Sequence, residues 1–409
     1  MTTVKVDKGK KELQQLFRLF LRLGLTAFGG PAAHIAMMQK EVVDKRGWMD
    51  HEHFLDLIGA TNLIPGPNST EMAIHIGQER AGWRGLLVAG ACFICPAVIL
   101  TGFIAWLYQQ YGQLPQVSAF IFGIKPVVIP VILAAALPLA KRALKKTELW
   151  VIAIAALVAG LLGMNEIYVM FGTGLLILFW EAGRNSKDNA GSNSNGNSGR
   201  SSNGNSARNS GESSGHSSIQ RLQGMFPVLL QVPAIAVSNA RIFFSFLKIG
   251  AILYGSGYVL FAFLDSELVA KGLLSRKVLI DAIAVGQFTP GPVFSSVTFI
   301  GWQMGGWKSA ALATLAIFLP SFVFVALSHP LVPRMRKSRL FSAFLDGVNA
   351  ASVAIILTVC ISFGEATIIN WRAIVIALSG AIVVFGFPKV NTAFVILGGA
   401  LMGYLLSFL

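Results

Sequence analysis

The sequence predicts an all-α, polytopic transmembrane fold of two homologous halves, arranged as an inverted repeat with broken helices. Three observations carry that prediction: a composition that only lipid can solvate, an internal duplication, and charge clusters on opposite flanks of matched helices. Hydrophobic residues make up 54% of the 409 residues and charged ones only 13%, far from the balance of a water-soluble chain. Mean hydropathy is +0.64. Residues 86–124 include no charged side chain, and about 20 such residues already cross a bilayer's hydrocarbon core. A formal net charge of +14 would suggest nucleic acid for a soluble protein. Here the basic residues crowd the ends of apolar runs without an aromatic-basic module, so the expected partner is the lipid bilayer and not nucleic acid.

In residues 185–218, 26 of 34 are Ser, Asn or Gly, and large apolar side chains are absent. With nothing to bury, this stretch is expected to be a disordered tether. It separates an N-terminal repeat, 12–184, from a C-terminal repeat, 219–409. Phe20-Leu21-Arg22-Leu23-Gly24 matches Phe246-Leu247-Lys248-Ile249-Gly250 at an offset of 226. Asp56 and Pro65-Gly66-Pro67 fall on Asp281 and Pro290-Gly291-Pro292 at 225. Gly77, Gly82-Trp83, Pro96 and Gly123 fall on Gly301, Gly306-Trp307, Pro320 and Gly347 at 224. Loop changes explain the small drift, and so many Gly, Pro and Trp coincidences in order signal a duplication.

Charge sets the relative direction of the copies. The apolar stretch 116–140 is followed by Lys141, Arg142, Lys145 and Lys146, whereas its counterpart 340–363 is preceded by Arg334, Arg336, Lys337 and Arg339. If both basic loops stay in the cytoplasm, the matched helices run in opposite directions. The spans expected in the first half are 13–38, a broken pair around Pro65, 86–108, 116–140, and short pieces at 150–163 and 167–180. The second half repeats them as 242–264, a broken pair around Pro290, 309–328, 340–363, 372–387 and 392–409. A further apolar stretch, 225–237, is weakened by Pro227 and Pro233.

The two Pro-Gly-Pro tripeptides are the sharpest local signal. Proline removes a backbone donor and glycine permits unusual dihedrals, so no helix runs through them; within a membrane, protein or a water-filled cavity must satisfy the freed groups. Asn68-Ser69-Thr70-Glu71 follows the first break with capping-box spacing, Asn68 being the expected cap. Val293-Phe294-Ser295-Ser296 follows the second. Helices starting there would aim N–H groups, hydroxyls and a positive dipole end at a shared mid-membrane site suited to an anion. Its expected residues are Pro65, Gly66, Pro67, Asn68 and Ser69 from one half and Pro290, Gly291, Pro292 and Ser295 from the other; the alternative is a pair of packing kinks.

Arg22 and Lys248 hold equivalent places in apolar segments, where an unpaired cation is costly. They are candidates to meet a divalent anion's charge, or else they snorkel or pair with an acid such as Asp56 or Asp281. Lys125, opposite uncharged Asn349, is a third candidate. Gly29 and Gly30, in Phe28-Gly29-Gly30-Pro31, either line the site or allow close helix packing. His34 could couple movement to protons or be a packing residue, and Glu71 is a second coupling candidate beside its capping role. Cys92 and Cys95 have redox spacing but are read as buried structural thiols. His51, Glu52 and His53 lack the further ligands a metal needs. No catalytic constellation or phosphate-binding loop occurs, so neither an enzyme, an ATP-driven pump nor a cofactor is expected.

Taken together, Phe28-Gly29-Gly30-Pro31 with His34, Lys45-Arg46-Gly47-Trp48, Gly82-Trp83, Gly306-Trp307 and the two Pro-Gly-Pro breaks resemble the chromate ion transporter family in its long, two-half form. The resemblance covers nearly the whole chain apart from the first dozen residues and the tether. It implies a secondary transporter in the plasma (inner) membrane that exports chromate, energised by the membrane potential or a proton gradient, with sulfate as a similar oxyanion. A carrier of sulfate or another oxyanion, and a non-transporting scaffold subunit, are the alternatives; a homodimer is an assembly the resemblance leaves open. The second half departs from the pattern, with Tyr254-Gly255-Ser256-Gly257 for Gly-Gly-Pro and no histidine matching His34.

Overall fold

A computed structural model of the protein describes residues 2–112, 114–192, 238–255, 257–328, 338–387 and 390–408. Among them are fourteen α-helices and no strand. In the first half α1 (Thr2–Thr26) leads through a glycine turn to α2 (Gly30–Gln39) and a π-helical turn, Lys40–Lys45. Then α3 (His51–Thr61) precedes the first Pro-Gly-Pro and α4 (Asn68–Tyr111) follows it, before α5 (Pro115–Ala143), α6 (Thr147–Leu161) and α7 (Glu166–Ser192). The second half repeats the order. It has α8 (Asn239–Ile252), α9 (Leu260–Leu264), a π-helical turn Asp265–Val269 and α10 (Arg276–Phe288). After the second Pro-Gly-Pro come the 3-10 turn Val293–Ser295, α11 (Ser296–Ser328), α12 (Arg339–Thr367), α13 (Trp371–Gly386) and α14 (Thr392–Leu406).

Among the described residues five helices are long and apolar enough to cross a bilayer: Asn68–Tyr111, Val117–Ala143, Glu166–Arg184, Val293–Ser328 and Leu340–Thr367. The chain is a multi-pass membrane protein. Helices α6, α13 and α14 have only 15 or 16 residues, matching the short pieces the sequence predicts. Helix α7 continues to Ser192, past the residue where the tether is expected to begin. The rest of that tether, the stretch 225–237 and the basic residues 334–337 lie outside the described residues. Stretches 1–181 and 236–409 together form one compact unit.

Helices α4 and α11 are each two helices joined at a glycine. Gly82 (φ 59, ψ −149) and Gly306 (φ 71, ψ −160) adopt a backbone open to residues without a Cβ. The chain therefore doubles back there, a role for Gly82-Trp83 and Gly306-Trp307 that hydropathy alone does not reveal. Segment 68–80 packs antiparallel on 83–111: Gly77 abuts the Gly85 carbonyl with no room for a Cβ, and a Cβ on Gly90 would meet Ile74 at 2.9 Å. Segment 296–304 folds back on 307–328 likewise, and a Cβ on Gly301 would meet the Ser309 carbonyl at 2.7 Å. Trp83 and Trp307 sit exposed at the two turns, with Arg84 and Lys308 over their rings at 5.4 and 5.8 Å, as membrane-interface anchors do. Gly77→Val is expected to destabilise the detergent-purified protein by about 1–3 kcal/mol through overpacking. Gly172→Val, at a site with open space, should change thermal unfolding far less.

Contacts between the halves fix their relative direction. Along 83–111, Thr101 meets Ser295 at 3.4 Å and Gln109 accepts from Trp302 Nε1 at 2.8 Å, so this segment runs parallel to 296–304. Segment 68–80 runs parallel to 307–328, with Glu71 beside Ser321 and Ile74 packed with Val325. Each short segment is antiparallel to its own long one, so the two short segments run in opposite directions. The repeat is inverted, as the charge clusters predict. The exchange extends outward, with Gly123 of α5 against Gly399 and Gly403 of α14, and Gly347 of α12 against Thr173 and Gly174 of α7. Small residues permit such close helix crossings in lipid.

Candidate oxyanion site

Both breaks are buried, and each docks on the opposite half. Gly66 (φ 140) donates its N–H to the Leu253 carbonyl at 2.8 Å, and Gly291 (φ 91) donates to the Ala27 carbonyl at 2.8 Å. Ala27 and Leu253 are repeat equivalents, as are the two glycines, so the bonds are related by the pseudo-two-fold. Their chemistry follows from the helices that precede them. Helices α1 and α8 stop just before these residues, leaving carbonyls without intrahelical donors, and the break glycines supply the N–H. A Cβ on Gly291 would meet Ala97 at 2.9 Å, and one on Gly66 would meet Ser321 at 2.6 Å. Ala97 and Ser321 lie near the middles of the long segments 83–111 and 307–328, which places both breaks at mid-depth.

A polar chain joins the two breaks. His34, buried and ending the Gly-Gly-Pro turn, places Nε2 at 3.2 Å from the Ala27 carbonyl and Nδ1 at 3.3 Å from Ser69 Oγ. The carbonyl can only accept, so Nε2 carries the hydrogen and the Ser69 hydroxyl donates to Nδ1. Ser69, at the start of the first half-helix, is thereby linked through His34 and Ala27 to Gly291. Phe93 packs edge-on against the imidazole at 5.6 Å between ring centres.

The other residues singled out in the sequence distribute as follows. Asn68 is not the cap: Pro67 is, and the Asn68 amide donates to Asn62 Oδ1 at 2.8 Å. Proline has no side-chain acceptor, and the Thr70 and Glu71 N–H groups turn back to its carbonyl at 2.8 and 3.0 Å. Glu71 is completely buried, its carboxyl against Gly66 and the Ser321 hydroxyl but without a well-aligned hydrogen bond. At the second break Ser296 and Ala97 occupy the corresponding places, so only one break holds a carboxyl. Ser295 Oγ accepts from Thr101 at 3.4 Å. Gly29 and Gly30 have φ of 105 and 81, and a Cβ on Gly30 would meet the hydroxyl of Tyr258, itself paired with Gln287, at 2.9 Å.

The three candidate cations all have carboxylate partners, and these are not the expected ones for Arg22 and Lys248. Arg22 pairs with Glu41 at 2.5 Å, alongside Lys45 at 2.7 Å, and Lys248 pairs with Glu267 at 2.6 Å, alongside Lys271 at 2.5 Å. Burial pushes both carboxyls up, but bonds from Lys45 and Arg22, and from Lys248 and Lys271, outweigh it and hold them below the usual carboxylate range. Lys125 reaches across the repeat to Asp281 at 2.7 Å, whose other oxygen accepts from the Tyr108 hydroxyl at 2.7 Å. Glu41 and Glu267 escape a hydropathy reading, yet they share the 226 offset of Arg22 and Lys248, which is the signal that could have found them. Ser321, Tyr258 and Tyr108 carry no such mark. Cys92 is buried, whereas Cys95 is exposed on an outer apolar groove with Pro96, Phe103 and Pro290, correcting the expectation of two buried thiols. No group of three or more metal-ligating side chains is found among the described residues.

The fold and this geometry define a multi-pass membrane protein built as an inverted repeat whose broken helices meet at mid-depth. The chromate transporter family model matches residues 14–178 and 240–404, one match in each half, and the chain belongs to that family. A chromate transport protein of Cupriavidus metallidurans is 29% identical over 398 residues, covering 96% of this chain and 92% of the relative. One of Pseudomonas aeruginosa is 28% identical over 402 residues with the same coverage. An uncharacterized transporter of Methanocaldococcus jannaschii is 25% identical over 415 residues, covering 99% and 98%. No solved structure matches significantly.

Proposed function

We propose that this protein is a secondary transporter that exports chromate across the plasma membrane, holding the tetrahedral dianion between the two Pro-Gly-Pro breaks. The observation that carries this reading is the chain Ser69–His34–Ala27–Gly291, which ties the start of one half-helix to the other half's break. The first N–H groups beyond each break, those of Asn68 and Ser69 and of Val293 and Phe294, belong to the set a helix leaves without intrahelical acceptors. The positive dipole ends there favour an anion, and the Ser295 hydroxyl, which accepts from Thr101 and keeps its own hydrogen, adds a donor. Gly30 lets backbone approach where a side chain would strike Tyr258, and Gly29 holds the positive φ of the turn before it. Arg22, Lys125 and Lys248 are occupied by carboxylates, so oriented dipoles meet the substrate's charge, which suits an anion that must also leave. The repeats 12–184 and 219–409 supply one half-helix each, and 185–218 tethers them.

Glu71 supplies coupling. A carboxylate in the first turn of the half-helix repels a bound dianion, and a proton on Glu71 removes that repulsion, so anion and proton occupancy are linked. His34, in contact with Ser69, connects this turn to the second break. Chromate uptake into everted vesicles is expected to depend on an imposed proton gradient and to be competed by sulfate. Glu71→Gln should keep oxyanion binding and lose the response to the gradient. Uptake of neither oxyanion by vesicles containing inserted protein would overturn the reading.

A further inference from the structure

We propose that Glu41 and Glu267 are the hubs of two gates, one on each side of the breaks, whose alternate opening exposes the mid-depth site to one membrane face at a time. The idea rests on the transport reading above for its purpose, but on separate residues for its evidence. Each hub is a nearly buried carboxylate, 7% and 4% exposed. Each is shared by a cation from the first helix of its half and one from the chain just past its π-helical turn or at the end of it. Arg22, Glu41 and Lys45 recur as Lys248, Glu267 and Lys271 at the single offset of 226. Arg46 adds a longer contact of 3.5 Å to Glu41.

Their positions follow from the helices that carry them. Along helix α1, Gln15 accepts from Arg80 at 3.4 Å beside the Gly82 turn, and the chain reaches Ala27 at mid-depth just past the helix end. Arg22 therefore lies on the Gly82 side of the breaks. Helix α8 runs from Asn239, which accepts from Ser309 at 3.3 Å beside the Gly306 turn, to Leu253 at mid-depth. Lys248 lies on the Gly306 side. Because the repeat is inverted, those two turns mark opposite faces of the membrane.

Each first helix thus has two attachments, its own hub and, within five residues, the opposite half's break glycine through Ala27 or Leu253. Releasing a hub frees the helix that covers the other half's break from one side only. The cations are half exposed, 51% and 53% at Glu41 and 46% and 48% at Glu267. They are the partners able to swing outward, while the cost of leaving the nearly buried carboxylate unpaired keeps each gate closed at rest. Both hubs are closed here and both breaks are buried, which is the occluded arrangement an alternating cycle passes through.

The test uses the full chain with Cys92→Ala, Cys95→Ala and Cys360→Ala, and either Ser69→Cys or Ser295→Cys as reporter. A membrane-impermeant maleimide is applied to right-side-out and to everted vesicles. Glu41→Gln should raise the labelling rate from the Gly82 face alone on the order of tenfold, the population shift that losing one charge-assisted interaction brings. Glu267→Gln should do so from the Gly306 face alone. Glu41→Asp and Glu267→Asp should return labelling toward the parent, which separates loss of the ion cluster from misfolding. Increased labelling from the same face in both Gln variants, or unchanged labelling in both, overturns the proposal. Labelling needs no oxyanion, so gates that respond in a protein that carries neither chromate nor sulfate would count against the proposed substrate and not against the gates.

Discussion

Replacing Pro65-Gly66-Pro67 with three alanines is expected to abolish high-affinity oxyanion binding while the protein still inserts, and the same change at Pro290-Gly291-Pro292 to do the same. Alanines allow helix to continue through the break, so the N–H groups of the first turn acquire intrahelical acceptors and cease to be donors. A side chain at position 66 also strikes Glu71 and Ser321, and one at 291 strikes Ala97. Two charge-assisted hydrogen bonds at about 1.5 kcal/mol each amount to about 3 kcal/mol, or roughly 150-fold in affinity. Calorimetric titration of chromate and sulfate into the purified variants reads this directly. Parental affinity in both triple-alanine proteins would remove the breaks from the site.

The second large effect belongs to Lys125 and Asp281. The pair is buried, with the two side chains 16% and 2% exposed, and it bridges the halves. Removing one partner strands a charge at low dielectric, so Lys125→Met is expected to cost about 3–5 kcal/mol of stability. Lys125→Met combined with Asp281→Asn should recover most of it, because the neutral amide can still accept from Tyr108. Thermal unfolding in detergent across the four proteins of the cycle gives the coupling. A double variant as unstable as the single one would mean that Lys125 contributes through packing alone.

Much of the architecture was legible because lipid enforces it. Apolar runs and the Pro-Gly-Pro breaks are direct consequences of membrane solvation, and both recur in the fold. The boundaries near Gly82 and Gly306 were legible, since Glu79, Arg80, Arg84 and Lys308 interrupt the apolar runs there and new spans are expected from 86 and 309; the tight glycine turn that folds each pair of segments together was not, because only the positive φ of Gly82 and Gly306 reveals it. The site was partly legible. Ser69, His34 and the second break are linked through Ala27, and the breaks are visible in the sequence because backbone irregularity marks itself with Gly and Pro. The cations were misread at the level of partners. Hydropathy treats Arg22, Lys125 and Lys248 as isolated charges, whereas Glu41, Glu267 and Asp281 come from other helices that only tertiary packing brings near. Asn68 was misplaced for a local reason, because a proline that ends a break can take the cap position and shift the helix start by one residue.

The central claim, that the anion sits between the two half-helix starts, is tested most directly by an experimental density map of the protein with chromate bound and chromium located by its anomalous scattering. The account predicts a single chromium within hydrogen-bond reach of Asn68 and Ser69 on one side and of Phe294 and Ser295 on the other. Chromium beside Arg22 and Glu41, beside Lys125, or in the outer groove at Cys95 would contradict it.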